Sequence, residues 1–161
     1  MPEIILRDVM EADLPIFFEQ QRDAAALHMA AFTSNDPHNW EAFLVHWTKI
    51  MADPTVVNKT ILFQGQVVGN IATFIMFDEP SVAYGLGREY WGQGLATEAL
   101  RQFLELVTTR PLFARAAKDN LGSLRVLQKC GFVISGEDKG FANARGVEIE
   151  EYILRLDIVP K

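Results

Sequence analysis

The chain has one cysteine, Cys130, among 161 residues. That excludes an internal disulfide and any cysteine-rich metal site. It also lacks a long apolar run. The longest, Ile71 to Phe77, is interrupted by Thr73, whereas a membrane span needs roughly 20 apolar residues. The opening MPEIILRDVM carries acids early and has no apolar stretch of signal-peptide length. Basic residues are the minority, 15 against 21 acidic, for a net charge of -6. Broad binding to nucleic acid requires a basic face, so that class is not expected. The three histidines, His28, His38 and His46, are not spaced as metal ligands, and no metal is expected. There is no internal repeat and no low-complexity segment. From these absences a reduced, cytoplasmic protein with no nucleic-acid or membrane partner is expected; a monomer or a homodimer is expected as well.

What is present is ordinary globular sequence, 49% hydrophobic and 22% charged. It is too apolar to remain disordered, and its length suits one domain over residues 1–161. A strand is predicted at Glu3 to Arg7. Helical sequence follows from Asp13 through Leu14, Phe17 and Phe18 to Ala31, and Phe32 to Asn39 reads as a loop around Pro37. Asn39 or Asp36 can cap a helix from Trp40 to about Met51, with Phe43, Leu44 and Trp47 at core spacing. Strands are predicted at Val56 to Phe63 and Gln66 to Phe77, joined by a tight Gln64-Gly65 hairpin. The turn Asp78-Glu79-Pro80 leads to a fourth strand, Ser81 to Gly87.

Next comes a glycine-containing loop, Arg88 to Gly94, opening into a helix with an apolar stripe at positions 96, 99, 100, 103, 104 and 107. Strand Leu112 to Ala117 follows. Asn120 caps a further helix, which Gly131 ends. The chain closes with strand Phe132 to Gly136, a polar connector and strand Val147 to Leu156. This element order indicates a mixed α/β sheet with helices on its faces.

The segment from Val82 to Leu100 carries the chemistry. It is a strand, a glycine loop and a helix N-terminus. The first backbone N–H groups of a helix have no internal partner, and the helix dipole makes that end positive. Glycines let an anion approach the backbone closely. The unit is therefore an anion site, most simply for a phosphate or diphosphate. No Lys-Ser/Thr follows the glycines, so it is not a P-loop. Thr97 stands where a dinucleotide fingerprint has a small residue, and four strands precede the unit, so it is not a Rossmann turn.

The run Tyr90-Trp91-Gly92-Gln93-Gly94-Leu95-Ala96-Thr97-Glu98-Ala99 resembles the acetyl-CoA pyrophosphate loop of the GNAT N-acetyltransferases. It is most similar to the branch of ribosomal-protein N-terminal acetyltransferases, where Tyr-Trp-Gly-x-Gly-x-Ala-Thr-Glu-Ala is typical. Trp91 departs from the broader superfamily, which usually has Gln or Arg there, but it suits this branch. A second run, Asn120 to Phe132, resembles the family's Asn-x-x-Ser-x-x-Val-x-x-Lys-x-Gly-Phe helix. The resemblance implies the GNAT acyl-CoA N-acyltransferase fold, a twisted and mostly antiparallel sheet of about seven strands. Strands 4 and 5 splay apart, and helices lie on both faces.

It further implies acetyl-CoA as co-substrate, an amine acceptor and direct attack in a ternary complex. On that reading the backbone of Tyr84 to Leu86 pairs with the pantetheine amides. Trp91, Gly92, Gln93, Gly94, Leu95, Ala96 and Thr97 hold the pyrophosphate. Asn120 faces the cofactor arm, a role that can coexist with a plain helix cap. Ser123 lies near the thioester sulfur, suited to protonate the departing thiolate, or is simply a first-turn helix serine. Arg125 and Lys129 approach the cofactor phosphates or form a solvated face. Asp78, Glu79 and Glu148 are the base candidates, Glu79 and Glu148 being carried forward as catalytic residues with Ser123. Together with Glu150 and Glu151, these acids would attract an ammonium acceptor. Phe32 to Trp40 and the following helix form a wall of the acceptor cleft. Two other readings stay open: a non-catalytic acyl-CoA-binding sensor or regulatory module, and a small α/β interaction module with an unrelated phosphate-binding turn.

Overall fold

The computed structural model describes residues 3–31 and 36–157. Seven strands form one sheet: β1 (Ile4–Asp8), β2 (Val57–Phe63), β3 (Gln66–Met76), β4 (Glu79–Leu86), β5 (Leu112–Ala117), β6 (Val133–Ala142) and β7 (Val147–Leu156). Their spatial order is β1-β2-β3-β4-β5-β7-β6, antiparallel throughout except where β4 meets β5. Three helices, α1 (Leu14–Gln21), α2 (Ala24–Ala30) and α3 (Trp40–Ala52), precede β2, while α4 (Leu95–Leu106) and α5 (Leu121–Lys129) flank β5. Among the described residues no helix is long and apolar enough to cross a membrane.

The core divides between the two sheet faces. On one, α4 sinks Leu95, Ala99, Leu100, Phe103 and Leu104 onto Ile61, Ile71, Val82, Leu112, Ala114 and Leu154. Each fully buried large side chain contributes about 1.5–3 kcal/mol, so this stripe outweighs any cap in holding α4. The carbonyls at its C-terminal end still need donors, and Arg110 supplies them, reaching Leu104 O at 3.3 Å and Val107 O at 3.0 Å. On the other face, Phe17 and Phe18 of α1 meet Phe43 and Trp47 of α3 in a tilted aromatic cluster.

The single helix predicted from Asp13 to Ala31 is two. Arg22 and Asp23 break it: Asp23 is extended, and its carboxylate accepts the Ala26 N–H at 2.9 Å, a helix N-cap that begins α2. Leu44 is exposed rather than core, because α3 presents Phe43 and Trp47 inward. The β3–β4 turn centres on Phe77 and Asp78, both left-handed, so β4 starts at Glu79. The supposed polar connector after Gly136 is strand. Glu137 to Ala142 pair with β7 through Tyr152 to Val147, and opposite charges such as Lys139 and Glu150 face each other across the ladder. The Gln64-Gly65 hairpin forms as expected, both residues having positive φ.

One buried polar knot ties α1 to the sheet. Asp13 receives both Nη atoms of Arg7 at 2.7 and 2.8 Å, the Met10 N–H at 2.9 Å and the Thr60 hydroxyl at 2.7 Å. Burial alone would push this carboxyl up. The bonds from Arg7, Met10 and Thr60 outweigh burial and hold it down at about 2. A depressed folded-state value contributes stability above the ordinary carboxylate range, and that stability is lost as pH falls through the folded value. Asp13→Asn should therefore cost about 2–4 kcal/mol at pH 7 in denaturant melts. The wild type should lose most of its advantage over the variant between about pH 4 and pH 2.

Candidate active site

Strands β4 and β5 are joined at one register pair, Ser81 with Phe113. Beyond it they diverge. The last residues of β4, Tyr84 to Leu86, keep their pairing to β3 and have no ladder with β5. An interior strand edge left unpaired exposes backbone donors and acceptors that need partners.

The loop leaving this edge is tightly braced. The Trp91 indole N–H donates to Leu86 O at 3.0 Å, and the Gln93 amide donates to Glu89 O at 3.1 Å. Gly92 and Gly94 have φ of 75° and 79°, and a side chain at either would project into open space. Here glycine meets a backbone demand and keeps the approach to the loop clear. Gly94 is the N-cap of α4, whose first internal bond runs from Glu98 N–H to Gly94 O at 3.2 Å. The N–H groups of Leu95, Ala96 and Thr97 therefore have no acceptor within the helix. Leu95 is buried and pins this turn to the core, while Ala96 and Thr97 are half-buried above it.

Across the divergence, the half-buried Tyr84 reaches α5. Its hydroxyl lies 3.0 Å from Ser123 Oγ and 3.4 Å from Ser123 O. Burial pushes the phenol up to about 12, against a smaller opposing effect of the serine bond. Asn120 is the helix cap, its Oδ1 accepting the Ser123 N–H at 3.2 Å. Its Nδ2 donates to Met29 O at 3.2 Å and so joins α5 to the end of α2. Arg145, from the β6–β7 turn, adds a two-pronged ion pair with Asp119 and a bond to His28 O. Ala31, Ala117 and Ala142 pack beneath this junction. Arg125 and Lys129 are exposed on α5.

The candidate bases are not brought to the Tyr84–Ser123 crossing together. Glu79 is exposed at the start of β4, five residues or roughly 16 Å of strand before Tyr84. Glu148 is exposed on the β6–β7 hairpin, 3.7 Å from Lys139. Glu150 bonds Lys118 at 2.5 Å, and Glu151 bonds Arg115 at 2.6 Å from the opposite face of β7, as strand alternation requires. These three acids are thus already matched by cations. Asp78 and Glu79 have no ion-pair partner among the described residues. Arg115 also lies over the exposed Phe77 ring, 4.5 Å from its centre. Trp40 stacks on Phe43 and meets Phe18 edge-on, at the rim of the α1–α3 cluster. Phe32 lies outside the described residues. Among the described residues no group of histidines, cysteines or acids is arranged to hold a metal.

Sequence reasoning missed the Tyr84 side chain, Asp119 and Arg145. Tyr84 was legible in part: it alternates with Val82 and Leu86, which places its ring on the helix-covered face. The Arg145–Asp119 pair spans 26 residues and had no local signal.

The family described as Acetyltransferase (GNAT) domain matches residues 3–133. The chain belongs to the GNAT acetyltransferase family. It is 27% identical over 99 residues to the Uncharacterized N-acetyltransferase p20 of Bacillus licheniformis, covering 56% of this chain and 55% of that protein. The chain thus matches about half the length of that relative. Its fold is similar to the spermidine N-acetyltransferase of Vibrio cholerae, solved with CoA and spermine, with TM-score 0.81, 13% identity and coverage of 96% and 95% of the two chains. It is likewise similar to Mycobacterium smegmatis RimJ, solved with CoA-disulfide, with TM-score 0.79, 18% identity and coverage of 96% and 81%. The seven-stranded sheet with its β4–β5 splay is the GNAT fold that the motifs implied.

Cys130 sits under the first turn of α4, its Sγ 3.6 Å from Thr97 O. Burial raises its thiol above the ordinary value. Both effects disfavour the thiolate, which is the reactive form. A disulfide reagent at neutral pH should label the native protein at least about 100-fold more slowly than the unfolded chain. Comparable labelling rates would show that this helix junction opens freely.

Proposed function

We propose that the protein transfers the acetyl group of acetyl-CoA to a primary amine, a protein N-terminus or a small-molecule amine, by direct attack within a ternary complex. The observation that carries this reading is the splayed edge of β4 running into a glycine-opened helix N-terminus. An unpaired strand edge suits the amides of an extended pantetheine arm. The free N–H groups from Gly92 to Thr97 suit a diphosphate, by hydrogen bonding and by the helix dipole. The two glycines leave the clearance that such a group needs. The solved relatives named for CoA support the same ligand. Residues 1–161 are proposed to act as one such domain.

On this reading the acyl donor supplies the thioester, and the chain supplies binding, orientation and proton transfer. Trp91 and Gln93 stiffen the phosphate loop rather than adding charge. The Tyr84–Leu86 edge aligns the arm and can offer a backbone N–H to the developing oxyanion. Ser123 stands where the sulfur departs and donates its proton there. The acceptor must arrive as a neutral amine, so it loses a proton to solvent or to a carboxylate, with Glu79 and Glu148 as the groups to test. Asn120 and Arg145 fix the end of α2, which bounds the acceptor side.

Acetyl-CoA should raise the melting temperature by binding the folded state. Gly94→Val should abolish that shift, because valine is strained at φ 79° and blocks the backbone. An unchanged CoA affinity in a folded Gly94→Val protein would defeat the loop assignment. The function itself is tested by thiol release from acetyl-CoA with polyamines, amino acids, aminoglycosides and short peptides as acceptors. Acetyl-CoA binding without amine-dependent thiol release would instead identify an acyl-CoA sensor. Ser123→Ala should lower kcat by roughly 10–1,000-fold and leave the CoA Kd within a few-fold, because a proton donor acts only as charge develops on sulfur.

A further inference from the structure

The Tyr84 side chain links β4 to α5 at the splay. It leaves β4, crosses towards α5 and ends at Ser123. A serine in the first turn of a helix ordinarily turns its hydroxyl back onto a nearby backbone group, which commits its proton. Here the Ser123 hydroxyl instead meets the phenol of Tyr84 at 3.0 Å, with Ser123 O a further acceptor at 3.4 Å. The phenol proton has two acceptors, Ser123 Oγ and Ser123 O, and when it goes to Ser123 O the serine donates to the phenol. If serine donates, its proton is consumed. If tyrosine donates to Oγ, the serine proton remains free to point elsewhere, and the Oγ that will carry negative charge already faces a donor.

We propose that Tyr84 is the positioning residue for Ser123, its O–H donating to Ser123 Oγ so that the serine proton is held ready for the departing sulfur. This rests on the acetyl-transfer reading above. The amine nitrogen bonds to the thioester carbon, and the C–S bond then breaks with its electron pair going to sulfur. Sulfur takes the Ser123 proton and leaves as the free thiol. The proton released by the attacking nitrogen returns through solvent to the serine. Tyr84 keeps its own proton throughout and stabilises the charge that builds on Oγ. Burial holds the phenol near 12, so it is a neutral donor at neutral pH.

The test is a cycle of Tyr84→Phe and Ser123→Ala, assayed as thiol release from acetyl-CoA with spermidine or with the best peptide acceptor of the panel. Tyr84→Phe keeps the ring in place. It should lower kcat about tenfold, with the CoA Kd and melting temperature close to wild type. In the Ser123→Ala background the same change should cost less than about twofold, since residues acting through one another are not additive. Ser123→Thr, which retains a hydroxyl, should restore the full cost. An equal loss in all backgrounds, or none in the wild type, overturns the role of Tyr84 while leaving Ser123 intact. A fully active Ser123→Ala protein overturns the assignment of Ser123 itself, a separate failure.

If Tyr84→Phe does not fold, 3,5-difluorotyrosine at position 84 serves the same purpose. It keeps the ring and hydroxyl but ionises at lower pH. Activity should be retained at low pH and lost as the phenol ionises, below the pH at which the wild type declines. A pH profile matching the wild type overturns the proposal.

Discussion

The parting of β4 from β5 after Ser81 and Phe113 is the constraint around which the rest of the structure is arranged. A sheet interior is normally a continuous ladder, because unpaired backbone groups away from water are costly. Here the ladder stops, and each strand is secured from its other side. β3 holds β4 over eight register pairs from Glu79 to Leu86, and β7 holds β5 over its six residues. Beneath the gap, Val82, Ala114 and Ala116 share one core with α4 and α5. The opening is thus supported by rigid neighbours. It can present backbone amides in a fixed geometry without collapsing.

The two helices below the gap have different tasks. α4 is sunk by its apolar stripe, so its N-terminus is a stationary donor array rather than a frayed end. α5 is short, with Asn120 as its N-cap and Ser123 on its first turn, where side chains can face both the gap and α2. Asn120 uses one atom to cap its own helix and another to hold Met29 O. The cofactor side and the acceptor side of the proposed site are therefore joined through one amide. The Asp119–Arg145 pair reinforces that joint from the β6–β7 turn.

Charge is distributed less simply than composition suggests. The excess of acids is real, but Glu148, Glu150 and Glu151 each have a basic neighbour on β5, β6 or the β5–α5 connection. These pairs link β7 to the elements beside it. Net charge says little about an individual cleft, because pairing within the fold cancels charges that sequence alone counts as free.

Local and periodic features were readable from the sequence alone. The Gly92–Gly94 loop, the apolar stripe of α4, the cap at Asn120, the Gln64-Gly65 hairpin and the helix stop at Gly131 all follow from backbone stereochemistry and spacing within a few residues. The glycine-loop motif was readable for the same reason: a helix N-terminus open to an anion needs particular residues in a contiguous run. What depended on distant partners was not readable. The break at Asp23 lies inside apparently continuous helical sequence. The strand from Glu137 to Ala142 is polar and gains its identity only from β7. Asp13 became a buried anchor because Arg7 and Thr60 converge on it from two strands. The meeting of Tyr84 with Ser123, 39 residues apart, exists because the sheet opens between β4 and β5. Side chains of that kind acquire a role from the tertiary arrangement, since hydrogen bonds across a gap are fixed by where the strands part, and no local sequence pattern encodes that distance.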